Sequence, residues 1–332
     1  MKIGILKKKE ESAVTHYRIA PFLDLARTDG HFIFQYPPET LTDDLCRGLD
    51  VLIIHRPASE SEMKAVYRAK WAGVAIWLDL DDMLWAIPPA NAAHLNYSPQ
   101  VHTCITDAMR VADVVTVSTQ ALKEQVQIEF GKTANVIPNA WNDRDDYLPD
   151  FWNLPQNSIT KVAHRGSNTH SADLFQVRHA FQDIENVHFE FFGFIPWFLL
   201  SEYGGNLRTL NVTGWSYNLA EFMKRLFAFK PQFVVFPLED NIFNKCKSNI
   251  AWQEATQAGA ITIAPSSMPE FSSVPCILYD DEAGLIEILH RVSEPGNSEF
   301  YNELYLKNVK HLRDYYALSK VNRIRAELIA ML

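Results

Sequence analysis

The sequence predicts an α/β protein of two Rossmann-like domains facing across a cleft, with a long C-terminal helical segment. Three observations predict it. Short β-rich runs alternate with amphipathic segments of helical period. The alternation stops once, in a stretch rich in proline and asparagine, and then restarts. The 332 residues exceed one ordinary core and suit two domains of roughly 150 residues each.

In the first half "KIGIL", "HFIFQY", "DVLIIHR", "GVAIWLDL" and "ADVVTVS" read as strands. Between them "YRIAPFLDLAR", "SEMKAVYRAKWA" and "SPQVHTCITDAMRVA" carry apolar residues at helical spacing. Such alternation implies a parallel sheet covered on both faces. From Pro138 to Pro155, "PNAWNDRDDYLPDFWNLP" loses all periodicity and reads as the linker and its approach. Strands then resume in "ITKVAHRG", "VHFEFFGF", "LRTLNVTG", "QFVVFPL" and "AITIAP". The helices between them are "SADLFQVRHAFQDI", "NLAEFMKRLFAF" and "NIAWQEATQAG". The expected organisation is a first domain over 1–142, a linker over 143–158, a second domain over 159–300, and a terminal helical segment over 301–332. That segment, with a break near Ala317 to Ser319, has the length to pack back on the first domain.

Composition narrows the function. Thirty-one basic against forty acidic side chains give a net charge of −9, so no global basic field supports a nucleic-acid or anionic-membrane partner. No run approaches the roughly 18 apolar residues of a membrane span. The start, "MKIGILKKKEES", is too short in apolar residues for a signal-peptide core. Cys46, Cys104, Cys246 and Cys276 are scattered, without CxxC spacing. A reduced cytoplasmic protein is expected.

Ligands of open parallel sheets bind beyond the carboxyl ends of the strands, so the loops after strands carry the candidate residues. In "PLEDNIFNKCKSNIAWQEATQAGAITIAPSSMPEF" a helix opens near Lys247 and Ser248 and stops at Gly259. A cation and a hydroxyl beside the unpaired N–H groups of a helix start suit a phosphate. The plainer alternative is a solvated lysine beside an ordinary capping serine.

This segment resembles the donor-binding segment of GT-B glycosyltransferases, in particular the retaining family 4-like group, which carries a helix glutamate, "G-x-(P/I)-x-(I/V)-A" and a "PE" turn. "ADVVTVSTQALKEQVQIEFGKTANVIPNAWN" is similar to the end of their first domain, and "VAHRGSNTHSADL" to the opening of their second. The resemblance implies an acceptor domain followed by a donor domain, with a nucleotide diphosphate sugar as co-substrate and no cofactor. It implies that Glu254 accepts hydrogen bonds from ribose hydroxyls. Arg165 and Lys247 would neutralise the diphosphate, Ser248 would contact phosphate, and the loop Gly166 to His170 would approach it. Glu270 would fall in the "PE" turn, which also reads as an ordinary helix start. The chain departs from the pattern at Cys246, where the family usually has a second glutamate; Glu239 or Asp240 are the substitutes at hand.

In the first domain His16, Tyr17 and Arg18 are expected to face the cleft, with Arg18 engaging an anion and Tyr17 stacking on a sugar or base. His55 closes a strand at the same rim; for His16 and His55 a packed neutral histidine is the alternative. "WLDLDD" places Asp79, Asp81 and Asp82 after a strand, as in the metal clamp of the GT-A fold. A second Rossmann-like half with its own cationic diphosphate site makes that metal redundant. The three aspartates are therefore assigned to the acceptor side of the cleft, binding hydroxyls or acting as base, with helix capping as the alternative. A sugar-nucleotide epimerase and a non-catalytic sugar-nucleotide or glycan binder remain alternative functions, and the acceptor stays open among glycan, protein, small molecule and modified DNA base.

Overall fold

The computed structural model describes residues 1–7, 14–155, 158–181, 184–202, 210–214, 216 and 218–332. Two of the loops after strands, where ligands are expected, at 7–15 and 214–217, lie partly outside the described residues.

The first sheet is built from β1 (Lys2–Leu6), β2 (Phe32–Tyr36), β3 (Val51–His55), β4 (Ala75–Leu80), β5 (Val114–Val117) and β6 (Asn135–Val136). Its strands are all parallel in the order β2-β1-β3-β4-β5-β6. The second contains β7 (Thr160–Gly166), β8 (Val187–Gly193), β9 (Leu210–Thr213), β10 (Phe233–Val235), β11 (Ile261–Pro265) and β12 (Ile277–Tyr279). It is also parallel, in the order β12-β11-β10-β7-β8-β9. Each sheet reverses its strand order beside its first strand, β1 or β7, and so opens a crevice at that point.

The connecting helices of the first half are α1 (Ala20–Asp29), α2 (Asp43–Arg47), α3 (Glu60–Trp71), α4 (Pro99–Val111) and α5 (Gln120–Phe130). The second half has α6 (Ser171–Phe175), α7 (Trp197–Glu202), α8 (Leu219–Phe229), α9 (Ile242–Lys245), α10 (Ile250–Gln257), α11 (Pro269–Ser272) and α12 (Glu282–Ser293). The terminal segment forms α13 (Ser298–His311) and α14 (Leu318–Ala330).

Local chemistry explains these boundaries. β3, "VLIIH", is buried at every position, as a strand covered on both faces must be. α3 starts in a capping box, with Ser59 and Glu62 each satisfying the other's backbone N–H. α5 ends where Gly131 takes φ +63°, a conformation costly for a residue with a Cβ.

Two expected elements differ. "SADLFQVRHAFQDI" stops as α6 at Phe175 and resumes only as a 3₁₀ turn at Arg178–Phe181. The loop before α10 contains α9, one helical turn capped by the Asn241 side chain, which accepts from the Asn244 N–H. α10 consequently begins at Ile250, after Lys247 and Ser248 instead of at them.

Among the described residues the core forms four packing clusters. One of them joins both ends of the chain: Ile3, Ile5, Phe22 and Trp77 pack with Leu318, Val321, Leu328 and Ile329 of α14. Asn322 fixes α14 to α1 by donating to the Pro21 carbonyl at 3.1 Å and to Asp24 at 3.0 Å. The return crossing is pinned beside the outgoing one, because Trp141 N–H donates to the Tyr316 carbonyl and Leu318 N–H to the Trp141 carbonyl, both at 2.8 Å.

Candidate functional site

The register of the first sheet places His55 beside Asp79 and Asp79 beside Thr116 at the carboxyl ends of β3, β4 and β5. Asp79 is the centre of this row. It accepts from Arg18 Nε at 2.9 Å and again from Arg18 Nη2, from Thr116 Oγ1 at 2.6 Å, and pairs with His55 Nδ1 at 2.9 Å. Burial alone would raise its pKa, but the Arg18 charge and the hydrogen bonds from His55 and Arg18 outweigh burial and hold the carboxyl well below the usual range.

This overturns the expected positions of two residues. Arg18 and Asp79 are each 1% exposed, so neither faces the cleft: the pair forms its foundation. The reason is that a guanidinium and a carboxylate together fill each other's hydrogen-bonding capacity, which is the condition for burying both. Arg18 also donates to the Ile137 carbonyl at 2.6 Å and to Asn139 Oδ1 at 3.3 Å. Asn139 in turn donates to Ser248 Oγ at 2.8 Å, and Gln253 donates to the Asn139 carbonyl at 3.0 Å. The first half thus reaches the donor-side loop through Asn139.

Above this foundation, Asp81 and Asp82 are gripped by Arg56, whose Nη2 lies 2.6 Å from each carboxylate. Arg56 holds φ +46°, a left-handed conformation that costs a non-glycine residue about 1–2 kcal/mol. His55 Nε2 lies 3.4 Å from Asp81 Oδ1, so one imidazole spans Asp79 and Asp81. His55 is 4% exposed and lies beneath the rim, not at it.

The second half supplies the opposite wall. Arg165, at the end of β7, has its guanidinium 5.8 Å from the Phe222 ring and 5.6 Å from the Phe236 ring, and its Nε donates to Glu254 Oε2 at 2.7 Å. Glu254, on α10 and 1% exposed, accepts on its other oxygen from Tyr17 at 2.8 Å. Lys247 rests its ammonium 4.6 Å from the Phe243 ring. The Asn249 side chain at the start of α10 makes no capping bond, and Ser248, Ile250 and Ala251 open there on a cleft of about 190 Å³.

That cleft brings together Tyr17, Arg56, Asp81 and Asp82 from one half with Arg165, His170, Lys247 and Ser248 from the other. His170 is oriented by Asp173, 2.8 Å from its Nδ1. Asp173 is itself held by Asn244 Nδ2 and the Glu239 N–H, both at 2.8 Å. Burial lowers the His170 pKa against the pull of Asp173. Gly166 leaves the space that His170 fills: a Cβ there would lie 3.1 Å from His170 Cδ2.

Other expected residues fall elsewhere. His16 lines a separate cleft of about 440 Å³ with Trp141, Asp146, Met223, Phe227 and Gln257. Glu270 stands in the first turn of α11, outside the residues lining either cleft, with its pKa pushed up to about 7 by burial. Cys246 is fully buried in the first half's core, its sulfur 3.9 Å from Met83 Sδ, so it does not face a ligand. Among the described residues no group of three His, Cys, Asp or Glu is arranged to hold a metal. Sequence reasoning missed Asn139, Thr116 and Asp173, each a polar residue inside a quoted stretch that was not singled out, because its partners lie elsewhere in the chain.

No family model and no curated protein matches the sequence. Solved structures do match. Anabaena HepE, solved in complex with UDP-glucose, superposes with a TM-score of 0.66 at 14% identity over 100% of both chains. Sucrose-phosphate synthase from Thermosynechococcus elongatus gives 0.68 at 11% identity, again over 100% of both. The fold is GT-B. Within that class a putative UDP-N-acetylglucosamine 2-epimerase from Listeria monocytogenes also matches, with a TM-score of 0.55 at 12% identity over 98% of this chain and 95% of the other. The two parallel sheets of this chain correspond to the two GT-B domains, and the 190 Å³ cleft lies between them.

Proposed function

We propose that the chain is a glycosyltransferase that moves a sugar from a nucleotide diphosphate sugar to an acceptor hydroxyl, without a metal and with retention. One observation carries the reading: Arg165, Lys247 and the start of α10 line one side of a cleft between two parallel sheets, with Glu254 bound to Arg165 beneath it. Two cations and a helix N-terminus suit a diphosphate. As the glycosidic bond breaks, negative charge grows on the leaving phosphate, and preplaced cations stabilise that state more than the ground state.

On the facing wall Asp82 is the exposed aspartate, its side chain 26% accessible against 9% for Asp81 and 2% for Asp79. Asp82 receives the acceptor hydroxyl, and Asp81 with Arg56 positions it. With the carboxylates already neutralised by Arg56 and Arg18, the aspartates have little affinity left for a divalent cation, which supports a metal-independent reaction.

The reading is tested by thermal shift with UDP, GDP and ADP in chelator. A nucleoside diphosphate raises the melting temperature without added metal, and Glu254→Ala removes the effect. Stabilisation that needs Mn²⁺ and Asp82 would overturn it. The match to an epimerase motivates the second arm: incubation of sugar nucleotides without acceptor, where isomerised sugar nucleotide instead of free nucleoside diphosphate would favour an epimerase.

A further inference from the structure

Both oxygens of Glu254 are already engaged in this structure. Oε2 is bound by Arg165 and Oε1 accepts from Tyr17 at 2.8 Å. Tyr17 is 4% exposed and Glu254 1%, so this bond is made away from water and joins the two halves of the chain across 237 residues of sequence. Tyr17 also lines both clefts, the cationic one of about 190 Å³ and the larger one of about 440 Å³. Gln257, which lines the larger cleft, lies three residues beyond Glu254 on α10 and so on the same helix face. Glu254 therefore lies behind Tyr17, the residue that lines both clefts, and Tyr17 covers it.

We propose that Tyr17 is a displaceable gate: a nucleoside diphosphate lies across both clefts, its diphosphate against Arg165 and Lys247 and its base in the larger one, and seats only when the Tyr17 hydroxyl releases Glu254. The inference rests on the donor-side reading of Glu254. A sugar diol needs a carboxylate oxygen, and of the two groups occupying Glu254, Arg165 remains useful to a bound phosphate whereas the Tyr17 hydroxyl does not. The larger cleft suits the base, since Trp141, Met223 and Phe227 give it apolar walls. Tyr17 sits in a π-helical turn, Thr15–Ile19, a backbone form that concentrates at adjustable functional positions.

The test uses Tyr17→Phe, which keeps the ring and deletes the hydroxyl. In the free variant Glu254 Oε1 is left buried without its donor, while the nucleotide-bound state loses nothing. Loss of a buried hydrogen bond to a carboxylate corresponds to roughly tenfold in an equilibrium constant. Calorimetric titration with UDP, GDP, ADP and inorganic pyrophosphate is expected to show about a tenfold gain for the nucleotide that binds the natural chain. Pyrophosphate, which needs only the cationic cleft, changes little. Nucleotide affinity that is unchanged or weaker in Tyr17→Phe, with Glu254-dependent binding intact in the natural chain, overturns the gate alone. If no nucleoside diphosphate binds either protein, the donor role of Glu254 fails and the gate falls with it. A melting curve of Tyr17→Phe without ligand checks that the fold is kept.

Discussion

Asp79→Asn separates a structural aspartate from a catalytic one. The carboxylate accepts from Arg18, Thr116 and His55 in a site where both it and Arg18 are 1% exposed. An amide matches the volume but removes the charge and turns one acceptor into a donor facing other donors. Arg18 is then left as a buried charge without its counterion, and breaking a buried pair on one side costs about 3–5 kcal/mol. For a protein of this size that corresponds to a fall in melting temperature of about 10 °C. Differential scanning calorimetry measures it, and Arg18→Met should cost a similar amount alone. The double variant Asp79→Leu with Arg18→Met should recover part of the loss, since neither charge then lacks a partner. The pH dependence has a definite sign. The folded carboxyl titrates well below its ordinary 3.8, so the pair's contribution is complete above about pH 4 and is lost as pH falls below it. The reasoning fails if Asp79→Asn melts within about 2 °C of the natural chain while sugar transfer disappears, because Asp79 would then act in the chemistry and not beneath it.

Two further outcomes follow from burial. Glu270 is raised from 4.5 to about 7, so the folded chain binds the extra proton and stability declines as pH rises from about 4.5 through 7; Glu270→Gln should flatten that slope and stabilise at pH 8 by about 1–3 kcal/mol, as read from urea melts at several pH values. Cys246, with its thiol pushed up to about 12 by burial, should resist iodoacetamide in the native protein, with alkylation mapped by mass spectrometry. Cys246→Glu should destabilise by several kcal/mol, because the side chain would enter the core beside Met83 and not the ligand cleft.

The alternation of strands and helices was legible because β-branched runs such as "VLIIH" and "ITIAP" are buried on both faces, a burden that only a covered parallel sheet imposes. Lys247 and Ser248 stood out because a cation and a hydroxyl close to a helix start are a local pattern, whereas Arg165 and Glu254 entered only through the family resemblance. The fate of "WLDLDD" was not. Whether Asp79 points into the protein or the cleft depends on Arg18, 61 residues earlier, and on Thr116, 37 residues later. Neither pairing has a sequence period. The burial of Cys246 was not legible for a related reason: a motif position marks a place along a helix approach, whereas burial depends on Met83 across the interface. The same holds for Asn139, which matters through Arg18 and Ser248, 121 and 109 residues away.

The chain passes between the halves twice, and the two passages are tied together where Trp141 meets Ala317. A single tether would let one half swing in any direction. Two tethers fastened side by side hold the halves together as the spine of a book holds its covers. A cut in the linker alone would leave both covers bound.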